Sequence, residues 1–137
     1  MSITTKANTQ EILSAMEKAI ERGLKAIGLE AEGNAKKYEP AVDTGRLRNS
    51  ITWALSGEEA NTKEYEYKVG EETKKGHYEG NAPKDKDKAV YIGTNVEYAP
   101  YVELGAKGRD ALHFLKRAAT DHKDRYKELL KDAMKHA

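Results

Sequence analysis

A chain of 137 residues has the length of one domain, and folding can bury roughly two thirds of the surface that its extended form exposes. Charged residues make up 34% and apolar ones 38%, which predicts a single modest core under a wide solvated surface, without the ~20-residue apolar run of a membrane span. A formal charge of +1 creates no field that singles out nucleic acid or an anionic membrane, and the absence of cysteine excludes disulfides and thiolate metal sites.

The opening MSITTKANTQEIL has neither the basic nor the apolar region of a secretory leader, so a soluble product made in the cytoplasm is expected. From Thr9 to Lys37, Leu13, Met16, Ile20, Leu24, Ile27, Ala31 and Ala35, followed by Tyr38, recur at steps of three and four. This spacing predicts an amphipathic helix, capped by Asn8 or Thr9 and ended at the latest by Pro40. Glu21 with Lys25 and Glu32 with Lys36 form i,i+4 pairs on its outer face. Gly23, Gly28 and Gly33 each cost about 1 kcal/mol relative to Ala, so the helix kinks there or depends on tertiary support.

Asp43-Thr44-Gly45 predicts a turn, with Asp43 or Thr44 capping a short helical turn from Arg46 to Asn49. A strand follows from Ser50 to Leu55 around Trp53. Glu64 to Val69 alternates strictly, Tyr65, Tyr67 and Val69 against Glu64, Glu66 and Lys68, as a half-buried antiparallel strand does. Residues 71–88 carry two glycines, a proline and hardly any apolar side chains, which predicts a mobile charged hairpin arm or loop. Seven lysines are balanced by seven acids across Lys63 to Lys88, so this is no basic arm.

Ala89 to Ile92 is a further strand, ended by Gly93 and a Thr94-Asn95 turn, and Ala99 to Leu104 is a helical turn stopped at Gly105. From Asp110 to Lys135, Leu112, Leu115, Ala119, His122, Tyr126, Leu129 and Ala133 predict a second amphipathic helix with a basic outer face. The expected architecture is one α+β domain over residues 1–137. It would hold an antiparallel sheet of three to four strands, with a long N-terminal and a long C-terminal helix packed on one face.

Sequence signals for chemistry are missing. His77, His113, His122 and His136 show no metal-ligand spacing, and Asp85 and Asp87 alternate with lysines instead of forming a calcium loop. No glycine pattern suits a phosphate, and no serine lies in a nucleophile elbow. Neither enzymatic activity nor a cofactor is expected.

Three segments carry a resemblance: VDTGRLRNSI from Val42 to Ile51, YIGTNVEYAPYVELG from Tyr91 to Gly105, and FLKRA at the start of the last helix. Together, in this order, they resemble the tail-component or neck family of long-tailed bacteriophages and prophages, whose members are head–tail joining or tail-completion proteins. Two positions depart from the family pattern: Leu104 stands where Phe is common, and the prolines that often flank the Phe-Leu pair are missing around Phe114-Leu115.

The resemblance implies a virion subunit of the neck, working as a homo-oligomeric ring, a hexamer or dodecamer. A head connector or stopper would lie on one side and a tail-terminator or tail-tube protein on the other. DNA passing through would touch it weakly, and no membrane is involved. Candidate interface residues are Arg46 and Arg48, whose planar forks suit ion pairs between subunits, Tyr91, Tyr98, Tyr101 and Glu103 in the second motif, and Lys74, Lys75, His77 and Tyr78 in the arm. Each tyrosine could instead pack within the fold. The competing function is a small nucleic-acid-binding module using the basic face of the last helix, where residues 109–137 hold eight basic and five acidic residues.

Overall fold

The computed structural model describes residues 2–38, 45–108 and 110–136, with side chains described from residue 9 onward. The expected stop at Pro40 and the caps at Asp43 and Thr44 lie outside the described residues.

Helix α1 runs from Ser2 to Tyr38, 37 residues or about 55 Å. Nothing between Ser2 and Asn8 breaks a helix, so Asn8 and Thr9 continue it instead of capping it. Two of its glycines are points of close approach. A Cβ on Gly28 would sit 2.8 Å from the ring of Trp53, and one on Gly23 would sit 2.7 Å from Leu130 Cδ1. The glycines therefore let β1 and the last helix pack directly on the α1 backbone, and that support offsets their low helix propensity. The expected i,i+4 pair forms on the flank, Lys36 Nζ to Glu32 Oε2 at 3.2 Å.

Helix α2 spans Arg46–Ser50, followed by strands β1 (Thr52–Leu55), β2 (Glu64–Val69), β3 (Glu72–His77) and β4 (Val90–Gly93), then helices α3 (Ala99–Leu104), α4 (Phe114–Thr120) and α5 (Lys123–Lys135). The α+β class and the antiparallel pairing hold, but the four strands divide into two sheets of two, β1 with β4 and β2 with β3. The free side of β1 is taken by a loop. Asn61 N–H donates to the Trp53 carbonyl (2.8 Å), and Thr62 N–H is intercepted by the Thr52 hydroxyl (2.9 Å). Strand β2 instead leans on α2, where Asn49 Nδ2 donates to the Glu66 carbonyl (2.8 Å).

Within 71–88, residues 72–77 form strand β3, which the sequence pattern does not announce. It registers Val69 opposite Glu72 and Tyr65 opposite Gly76. The two-residue connection starts at Gly70, whose φ of 65° is the positive value that a type II′ hairpin needs at its first central position.

The expected single helix from Asp110 to Lys135 is shorter and broken. His113 takes a left-handed conformation (φ 51°), incompatible with a helix interior, and its N–H bonds to the Glu103 carbonyl (3.1 Å), so α4 starts at Phe114. A turn at Asp121-His122 then separates α4 from α5. The break leaves the Ala118 carbonyl free to accept from the Tyr126 hydroxyl, which itself accepts from Asn34 Nδ2 at 3.0 Å. Helix α5 runs antiparallel along α1, as Glu30–Arg125 (3.1 Å) and Arg22–His136 (3.3 Å) show. The core lies where the C-terminal end of α1 meets α2, α3 and α4, around Ala35, Leu47, Ile51, Val96, Val102 and Phe114.

Candidate functional site

The two longest motifs meet in space. Ser50, fully buried, donates to the Leu47 carbonyl (2.6 Å) and shares a hydrogen bond with the Thr94 hydroxyl (2.5 Å). Thr94 Oγ1 also accepts from Val96 N–H at 3.1 Å. Asn95 then ties the β2–β3 hairpin to this junction, accepting from the Tyr65 hydroxyl (2.7 Å) and donating through Nδ2 to the His77 carbonyl (2.7 Å). Tyr78, half-buried, donates to the Ser50 carbonyl and accepts from Asn95 N–H (3.2 Å). These polar side chains satisfy backbone groups of both segments, some buried and some exposed, each contributing about 1 kcal/mol, and so lock the hairpin to the body.

The candidate contact residues divide accordingly. Arg46 makes a bidentate pair with Glu97, at 2.9 and 2.8 Å, and its guanidinium lies 5.2 Å from the Tyr67 ring centre and 5.6 Å from that of Tyr98. Sequence reasoning missed Glu97, because 51 residues separate it from Arg46 and no local spacing links them. Arg48 is half-buried on α2. Glu103 accepts from two backbone N–H groups, Leu115 and Lys116, both at 3.0 Å, and so caps α4 with a negative charge. The Tyr91 hydroxyl donates to Asp85 (2.8 Å), and His77 pairs with Glu79 at 3.2 Å on the surface. Lys74 and Lys75 are exposed on β3, and Tyr101 is 61% exposed on α3 beside Leu104 at 70%.

Thus Arg46 and Tyr98 come together, Tyr78 and His77 join the hairpin anchor, and Tyr101, Lys74 and Lys75 face solvent. The basic face of α5 is interleaved with Asp124, Glu128 and Asp132, and Arg125 already pairs with Glu30 and Glu128, so its field is diluted. Among the described residues no group of three His, Cys, Asp or Glu side chains could hold a metal ion, and no helix is long and apolar enough to cross a membrane.

Residues 4–105 match the family described as "Bacteriophage HK97-gp10, putative tail-component". The chain belongs to this bacteriophage tail-component family. The match starts inside α1 and ends at Gly105, so it takes in both longer motifs and the hairpin and leaves α4 and α5 outside. No curated protein and no solved structure matches the chain. Membership of this family makes the protein a structural component of the phage particle.

Three exposed carboxyls are held below their ordinary range: Glu59 by a hydrogen bond from Lys63, Asp85 by one from Tyr91, and Glu97 by its own backbone N–H and then by Arg46. Because these pKa values fall on folding, the unfolded chain takes up protons first as the pH drops. Their contribution is therefore complete above the unfolded carboxyl values and is lost as the pH falls through the lower folded ones. The urea midpoint should decline from about pH 4.5 downward, and Glu97→Gln should flatten that decline. A midpoint that stays level between neutral pH and the acid limit would contradict these assignments.

Proposed function

We propose that this tail component acts in the neck, as a subunit of a closed ring that joins head to tail. A connector or stopper protein would bind one face and a tail-terminator or tail-tube protein the other. The observation that carries this reading is the edge of the β2–β3 hairpin. Strand β3 is exposed at every position except Gly76 and, among the described residues, pairs with β2 alone. An open strand edge accepts a strand from a neighbour, and flanking lysines keep it from pairing at random. The network around Tyr78 and Asn95 supports this use, because it holds the hairpin at a fixed angle to the body.

The same network decides the test. Deleting residues 72–87 would remove Tyr78 and unlock the fold, so a narrower change is needed. Lys74→Glu with Lys75→Glu should leave the thermal midpoint within about 2–4 °C of the parent, as surface changes do. Incorporation into purified virions, measured by complementing a deletion phage, should fall by about tenfold or more, a loss of roughly 1.4 kcal/mol in the assembly equilibrium. A chain absent from purified virions would sink the structural role, and unchanged particle yield would remove the hairpin edge from it.

A further inference from the structure

Two apolar patches on different elements face solvent. Among the described side chains of α1 the first buried one is Ala19, whereas Ile12, Leu13 and Met16 are 59%, 51% and 39% exposed. At about 100° per residue these three fall on the same half of the helix as Ala19, Gly23 and Ala31, so they prolong the stripe that packs on the body. The body runs out beneath them: α5 ends at Lys135, and His136 already lies beside Arg22. The second patch is the outer side of α3, where Pro100, Tyr101 and Leu104 are exposed.

We infer that the overhanging end of α1 docks on the α3 patch of a second copy of this chain, a deepening that rests on the self-association proposed above. Charge selects this pairing. Glu17 borders the α1 stripe, while Glu11 and Lys18 lie on the opposite side of the helix. Around the α3 patch Lys107 and Lys116 are exposed, and Glu97 and Glu103 are occupied by Arg46 and by the α4 N–H groups, which leaves Asp110 as the remaining acid. Joining two different patches makes the contact heterologous, and repeated rotation then generates a ring or filament instead of a sealed dimer.

Sedimentation velocity over a wide concentration range tests this with two double variants, Leu13→Glu/Met16→Glu on α1 and Tyr101→Glu/Leu104→Glu on α3. All four side chains are exposed, so circular dichroism melts should match the parent. Each variant alone should lose self-association by about tenfold or more. Each also keeps one intact patch, so a mixture of the two should form a one-to-one dimer and nothing larger. Variants that assemble like an oligomeric parent, or a mixture that stays monomeric, would overturn the pairing while leaving self-association standing. A parent that is monomeric at every concentration would overturn self-association itself.

Discussion

Phe114→Ala should lower the stability of the fold by about 3–5 kcal/mol, read as a fall in the urea midpoint at unchanged slope. Phe114 is the largest fully buried side chain, and it is the residue at which α4 begins. Its ring fills the space between Leu47 and Ile51 of the α2–β1 corner, Val102 of α3 and Ala35 of α1, in a cluster joined by Ala118 one turn on. Ile51, Val102, Ala35 and Ala118 are small or β-branched, so they cannot swing in to fill the hole. Domains of this size are stable by about 5–15 kcal/mol, so the loss takes a large share of the total. Phe114→Leu, which keeps most of the volume, should cost less than about 1.5 kcal/mol. A Phe114→Ala variant within 1 kcal/mol of the parent would show that the core is not organised around this ring.

Gly28→Ala and Gly33→Ala should move stability in opposite directions, although both put the best helix former into the same helix. Helix propensity favours each change by about 1 kcal/mol. At Gly33 a Cβ meets nothing within 4 Å, so that gain should appear undiminished. At Gly28 the new methyl would lie 2.8–2.9 Å from Cδ2, Cε3 and Cγ of Trp53. Cγ is next to the Trp53 backbone, so rotating the ring relieves little, and α1 must lift from β1 at a cost of about 1–3 kcal/mol beyond the propensity gain. Parallel thermal melts of the two variants decide the matter. If Gly28→Ala melts above the parent, the close approach of α1 to Trp53 does not govern this contact.

Local periodicity made much of the fold legible. Glu64–Val69 alternates because one side of β2 packs on the core through Tyr65 while the other meets water, and its bounds follow from the sequence. Strand β3 left no such trace. ETKKGH is exposed along nearly its whole length, and it is a strand because Gly70 turns the chain and the Tyr65 ring covers Gly76, across the pair from it. The division into two sheets was equally hidden, since it depends on a Thr52 hydroxyl reaching a Thr62 N–H ten residues on. The stripe on α1 predicted a buried face, but periodicity cannot say where the covering element ends, and Leu13 and Met16 proved exposed. Among the candidate contact residues, residue type pointed to Arg46 but not to Glu97, its partner, and it gave Glu103 an external role where the geometry shows a helix cap. Chemical identity suggests what a side chain can bind; only the three-dimensional path shows what is within reach.

The antiparallel pairing of α1 with α5 also sets a clock. Asn34 meets Tyr126, Glu30 meets Arg125 and Arg22 meets His136, contacts that close 92, 95 and 114 residues of chain. At a synthesis rate of about 5–20 residues per second, α1 leaves the ribosome roughly 5–20 s before the helix that covers it. Over that interval β1 can already pack on Gly28, whereas the stretch of α1 around Gly23 still lacks Leu130 and Ala133 of α5. Synthesis of α5 is therefore the event that covers this part of α1. Translation itself separates the birth of the chain from the moment it can join an assembly.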